Sequence, residues 1–189
     1  MDDAAAEILR FWIEEVGPEG WYKVDPALDD AIRERYLGPW EAARHGAFDI
    51  WIPEAETCLA LVILLDQFPR NMFRGDGRSF ASDARARAVT KSAIARGHDQ
   101  REALAGRAFF HLPLMHSETL PDQDRSVRLS LMRFGRGGNL THARAHRLVI
   151  RRFGRFPYRN AALGRLTTPA EQAFLDAGGY AAALREVSA

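Results

Sequence analysis

Apolar residues along this chain recur at helical spacing, and period-2 alternation over the length of a strand is almost absent. Behind Asp2 and Asp3, residues Leu9, Trp12, Ile13 and Val16 form one apolar stripe that Gly17-Pro18 terminates. Asp25-Pro26 restarts the chain with a capping aspartate and a proline at the first helical position, and Gly38-Pro39 is expected to bend or break that helix. Pro53 opens the next one, whose stretch from Cys58 to Leu65 is apolar on every side, as suits the central element of an all-helical core. Pro69 lacks an N–H and pushes Phe68 out of helical geometry, so this helix is expected to end at about Gln67. An Ala-rich helix from Ser82 to Arg96 closes on Gly97. Helical patterns follow around residues 100–110, 122–134 and 140–153, and Thr168-Pro169-Ala170-Glu171 is a capping box for a short last helix. Joined by short loops, these elements predict an all-α fold of about eight helices.

At 189 residues the chain is expected to be a single helical domain spanning residues 1–189. With 47% hydrophobic and 27% charged residues it has too many apolar side chains for a disordered protein. Its longest apolar run, residues 58–65, is too short for a membrane span, which needs about 20 residues. The amino terminus is acidic where a secretory signal would be basic, so a cytoplasmic location is expected. Cys58 is the one cysteine; inside the apolar run it reads as a small buried hydrophobe without a catalytic role.

The net charge of +1 conceals a division along the chain. Residues 1–66 hold 5 basic and 15 acidic side chains, and residues 67–189 hold 21 basic and 10 acidic. From Arg125 to Ala170 there are 11 arginines and no carboxylate. Arginine makes bidentate contacts to carboxylates and phosphates, so this segment either pairs with the acidic first third or meets an anionic partner.

Two stretches share an ending. Phe68-Pro69-Arg70-Asn71 returns as Phe156-Pro157-Tyr158-Arg159-Asn160, each with a glycine and an arginine a few residues on. The first places Asp66, Arg70 and Asn71 at the mouth of a buried helix; the second places Arg155, Arg159, Asn160 and Arg165 in a turn after Gly154. Arginines at such corners either satisfy the carbonyls of a helix end or hold a ligand.

On the helix between 140 and 153, a projection at roughly 100° per residue sets His142, His146, Val149 and Phe153 on one face and Arg144, Arg147, Arg151 and Arg155 on the other. Two histidines at i, i+4 can chelate zinc with a carboxylate such as Glu118, but there is no HExxH signature, and no metal or other cofactor is assigned. The arginine stripe could follow phosphates, with Phe134, Phe156 and Tyr158 for stacking. A sequence pI of 8.0 places nucleic acid last among the partners. In Leu112-Pro113-Leu114-Met115-His116-Ser117-Glu118, His116 and Glu118 would diverge on a regular helix but could converge as an acid–base pair on an irregular one. Ser117 between them makes no triad, and no GxSxG, P-loop or GxGxxG motif occurs.

Four blocks together resemble one family: "LLDQFPRNMFRG" at 64–75, "FASDARA" at 80–86, "LPLMHSE" at 112–118 with Gln123, and "HRLVIRRFGRFPYRN" at 146–160 followed by "LGRLTTPAE". They are similar to the uncharacterised bacterial proteins grouped as domain of unknown function 924. The resemblance implies an all-α, tetratricopeptide-like fold and brings no established activity. It singles out Asp66, Arg70, Asn71, Arg74, His116, Glu118, Gln123, His146, Arg155, Arg159 and Asn160; His142 is not among these positions. The leading expectation is a pocket in which both corners meet His116, Glu118 and His146, with Arg70, Arg155 and Arg159 holding a small phosphate or carboxylate and Glu118 and His146 orienting it or moving a proton. The alternative is a helical interaction module for an acidic protein or peptide.

Overall fold

The computed structural model describes residues 2–188, and among these the chain forms only helices and turns. It divides into two compact units, Met1–Pro113 and Leu114–Ala189. In chain order the α-helices are α1 (Asp3–Leu9), α2 (Gly17–Gly20), α3 (Pro26–Arg44), α4 (Ala55–Val62), α5 (Phe68–Met72), α6 (Asp83–Ala95), α7 (Leu112–Met115), α8 (Leu120–Phe134), α9 (Gly138–Phe153), α10 (Pro169–Asp176) and α11 (Tyr180–Ser188). None of them is long and apolar enough to cross a membrane.

In the first unit, Asp2 caps α1 by accepting the Ala4 and Ala5 N–H groups. Beyond α1 the chain widens into a π-helix, Arg10–Val16. The wider turn rotates the buried face, so Ala5, Ile8, Phe11 and Trp12 enter the core while Leu9, Ile13 and Val16 pack at its margin. Helix α3 does not break at Gly38-Pro39. Ile32 and Tyr36 before the proline, and Trp40 and Ala43 after it, are buried along one face. Burying Trp40 and its neighbours at roughly 1.5–3 kcal/mol for each large side chain outweighs a proline cost of about 3 kcal/mol.

Every residue from Cys58 to Leu65 is buried, so the expected central element is there. Burial pushes the Cys58 thiol up to about 12, and the side chain serves as core packing. The helix does not stop at Gln67, however. A π-helical turn, Ile63–Gln67, lets the Phe68 N–H reach the Ile63 carbonyl, and Pro69 then falls in the first turn of α5, where its missing N–H does no harm. The Leu65 carbonyl, which would face the Pro69 nitrogen in a regular helix, accepts the Ser82 hydroxyl at 2.5 Å. That hydroxyl in turn accepts Trp40 Nε1–H at 2.9 Å. At the end of α5, Arg33 donates to the Met72 carbonyl through Nε (3.1 Å) and Nη2 (2.6 Å).

The second unit packs Ala145, Val149, Ile150, Phe156, Phe174 and Ala183 into a core of its own. Helix α9 ends at Gly154, whose φ of +69° is left-handed backbone that glycine adopts without strain. The capping box at Thr168 forms as expected, with Glu171 answering the Thr168 N–H.

Candidate functional site

In the first corner the ends of α4 and α5 bring arginines against aspartates. Arg70 donates to the Asp66 carbonyl, lies 3.3 Å from the Asp66 carboxylate, and holds Asp83 through Nη2 at 3.0 and 3.2 Å. Asp66 also accepts Gln67 Nε2 at 2.5 Å. One turn on, Asn71 Nδ2 donates to Asp29 at 2.8 Å, and Arg74 grips the same carboxylate through Nε and Nη2, both at 2.8 Å. Burial alone would raise the Asp29 carboxyl; the hydrogen bonds from Arg74 and Asn71, with the charges of Arg74 and Arg33, hold it below the ordinary range.

The second corner is stapled in a similar way. Arg155 makes a bidentate pair with Glu171 at 2.5 and 2.8 Å and reaches the Leu166 carbonyl at 2.8 Å. The Arg155 hydrogen bond, with the Thr168 N–H, lowers Glu171 to about 2. Asn160 Nδ2 donates to Thr167 and Glu171. Arg165 grips Glu118 at 2.9 and 2.8 Å, and the Phe156 N–H donates to Glu118 at 2.9 Å. Burial opposes ionisation of Glu118, but Arg165, the Phe156 N–H and the charge of Arg159 together keep it ionised. Arg155 is therefore occupied by Glu171 and leaves the stripe expected with Arg144, Arg147 and Arg151, while Arg147 pairs with Asp124 at 3.3 Å.

Residues 116–119 are not helical, the condition under which His116 and Glu118 could converge. Yet the Glu118 oxygens are held by Arg165 and Phe156, while the His116 ring sits 6.0 Å from that of His146. Ser117 bonds Asp122 at 2.9 Å, and Gln123 Nε2 ties down the loop through the Met115 and Ser117 carbonyls, both at 2.7 Å. His142 is exposed and bonds the Tyr180 hydroxyl through Nδ1 at 2.6 Å. The described residues contain no group of three or more His, Cys, Asp or Glu side chains placed to hold a metal ion.

His146 stands apart from the stapled groups. Its ring is walled by Phe156 edge-on at 5.5 Å, by Tyr180 at 4.7 Å and by His116. Its Nδ1 lies 2.9 Å from the His142 carbonyl, which can only accept, so Nδ1 carries the proton and Nε2 the lone pair. Burial, reinforced by His116 and by the positive Arg159, pushes His146 down to about 3, leaving it neutral at physiological pH. Arg159 is itself buried and lies over the Phe156 ring at 4.5 Å, where its charge acts on both His146 and Glu118.

Asp66, Arg70, Asn71 and Arg74 belong to the first unit; His116, Glu118, Gln123, His146, Arg155, Arg159 and Asn160 belong to the second. Asp29, Asp83 and Tyr180 are partners that the sequence alone does not announce. Asp83 had one legible signal, an acid in the first turn of a helix. The Asp29–Arg74 pair spans 45 positions and has none.

The sequence pattern of a family described as "Bacterial protein of unknown function (DUF924)" matches residues 8–179. A solved structure of a protein of unknown function from Agrobacterium tumefaciens is similar with a TM-score of 0.86 and 43% identity, covering 92% of this chain and 97% of that one. No curated protein matches.

Proposed function

The chain belongs to the DUF924 family, and on that premise we propose that its second corner binds a small phosphate- or carboxylate-bearing molecule. The observation that carries this reading is the state of His146: a neutral imidazole with its Nδ1 proton committed and its Nε2 lone pair uncommitted, in an aromatic wall beside the charge of Arg159. Arg159 attracts the anion, and Nε2 accepts a hydrogen bond from a hydroxyl or P–OH on the same molecule. An arriving anion would also raise the affinity of His146 for a proton, so binding takes up protons as pH falls. Arg155, Arg165, Asn160 and Glu118 form the frame that keeps Arg159 and His146 in place. Thermal unfolding against inorganic phosphate, phosphomonoesters and hydroxy acids tests this reading, together with the imidazole ¹⁵N shifts of His146. A ligand at 100 times its dissociation constant adds about 2.7 kcal/mol, an effect that Arg159→Lys and His146→Gln should each reduce. Unmoved melting temperatures and unmoved His146 resonances would remove the reading.

A second reading, a tetratricopeptide-like interaction module for an acidic peptide, is favoured by the outer face of the α8–α9 hairpin. Arg128, Arg144 and Arg151 are exposed there and form no ion pair among the described residues, and Leu131 and Met132 are exposed beside Arg128. Charge reversal at Arg128 and Arg144 should abolish capture of an acidic, leucine-containing peptide. A steeper salt dependence for oligonucleotides than for that peptide would turn this reading toward nucleic acid.

A further inference from the structure

We propose that the first unit carries a separate binding site for a small hydroxy-monocarboxylate, in the cleft beside α3 and α5. The cleft measures about 430 Å³ and is lined by Asp29, Arg33, Leu37, Asn71, Arg74 and Arg78, among others. That volume lies in the range of small-molecule sites, roughly 300–1,000 Å³.

The hydrogen-bond inventory of the lining decides what fits. Arg33 spends Nε and Nη2 on the Met72 carbonyl and Nη1 on Asp30. Arg74 binds Asp29 through Nε and Nη2, and Arg78 binds Asp76 through the same two nitrogens. The Nη1 groups of Arg74 and Arg78 therefore keep donors that no described residue uses, on side chains 42% and 64% exposed. Two guanidinium nitrogens offered at one cleft suit the two oxygens of a carboxylate. Asn71 donates its amide to Asp29, which orients its Oδ1 as an acceptor without a partner among the described residues. A hydroxyl on the ligand supplies the missing donor. Leu37, 39% exposed, offers apolar surface to a short carbon chain.

Charge selects between anions. Each of the three guanidiniums at the cleft already has a carboxylate, Arg33 with Asp30, Arg74 with Asp29 and Arg78 with Asp76, so the cleft has no large positive excess to offer. A monoanion adds a single negative charge beside Asp29 and Asp76, whereas a phosphate dianion would add two and meet the stronger repulsion. The arginines are held in advance: Arg74 by the buried Asp29, and Arg78 by Asp76 and by its seat 4.5 Å over the Phe73 ring.

The site is tested by titrating the full chain with lactate, propionate and inorganic phosphate while following the side-chain N–H signals of Arg74, Arg78 and Asn71. Lactate should shift all three with a dissociation constant on the order of 1–10 mM. Propionate, which lacks the hydroxyl, should bind about fivefold more weakly, and Arg78→Ala should weaken lactate about tenfold. Arg78 is exposed, so that variant is expected to fold, and Arg78→Lys, which keeps the charge but loses the fork, should fall between it and the parent. The proposal is overturned if lactate moves none of these signals, if phosphate binds more tightly than lactate, or if Arg78→Ala leaves binding unchanged. These signals belong to the first unit, so loss of the His146 reading would leave this result standing, and the reverse holds as well.

Discussion

Phe68-Pro69-Arg70-Asn71 and Phe156-Pro157-Tyr158-Arg159-Asn160 look like one motif written twice, yet they fold differently. The first continues a helix, and the second leaves one, passing through an extended Phe156 into a short 3-10 turn. The difference lies in who receives the phenylalanine N–H. Phe68 returns its proton to Ile63 through a π-helical turn, whereas Phe156 gives its own to Glu118, 38 positions away. Gly154 has already ended α9 before the second motif begins, and nothing before Phe68 breaks its helix. A proline therefore does not dictate the end of a helix. It removes one donor, and the outcome depends on how the orphaned carbonyl is satisfied.

The units also differ in charge. Residues 1–113 carry 14 basic and 19 acidic side chains, and residues 114–189 carry 12 and 6. In the first unit Arg70 and Arg74 of the corner both meet aspartates; in the second, Arg155 and Arg165 meet glutamates, while Arg128, Arg144 and Arg151 form no ion pair among the described residues. Stapling is thus common to both corners, and excess cation belongs to the second unit.

Four experiments test how differently the two corners are built. The largest effect is expected from Asp29→Ala, which strips the partner from Arg74 and Asn71 at once and should cost about 3 kcal/mol in urea denaturation. Its counterpart, Glu118→Ala, should cost about 2 kcal/mol, because Glu118 is less buried than Asp29. If Glu118→Ala proved the costlier, the second corner would be the more tightly built.

Next comes Ser82→Ala, which leaves the Leu65 carbonyl and the Trp40 N–H unpaired at a cost of about 1–3 kcal/mol. In a double-mutant cycle Pro69→Ala should recover part of that loss by restoring an N–H for Leu65. Strict additivity would show that the carbonyl had found another donor.

The third test is pH. His146 titrates at about 3 in the folded chain, below the ordinary value of 6.5, so unfolding takes up a proton between those limits. Its contribution is intact above about pH 6.5 and is lost as pH falls toward 3. Asp29, Glu118 and Glu171, all held below the ordinary carboxylate range, lose theirs at lower pH. His146→Gln should flatten the upper part of the stability profile and leave the carboxylate limb unchanged. The smallest effect is expected for Arg78→Ala: a nearly unchanged melting temperature, since the side chain is exposed and its ion pair is with exposed Asp76.

Much of this architecture could be read along the chain. Asp25-Pro26, the Thr168 capping box, Gly97 and Gly154 mark helix ends through groups at most a few residues apart, so local chemistry is sufficient there. The wholly apolar stretch from Cys58 to Leu65 likewise announced the centre of the first core, because burial follows from side-chain chemistry. The same local rules failed at Pro39 and Pro69, where the burial of Trp40 and a hydroxyl from Ser82 overrode the proline signal. The corner residues were legible as a set, but their partners were not. Arg74 chose Asp29, Arg165 chose Glu118, and His146 was left neutral by burial, by His116 and by Arg159. Ion-pair choice and proton affinity depend on distance and on the solvent excluded, and both come into existence only when remote segments pack.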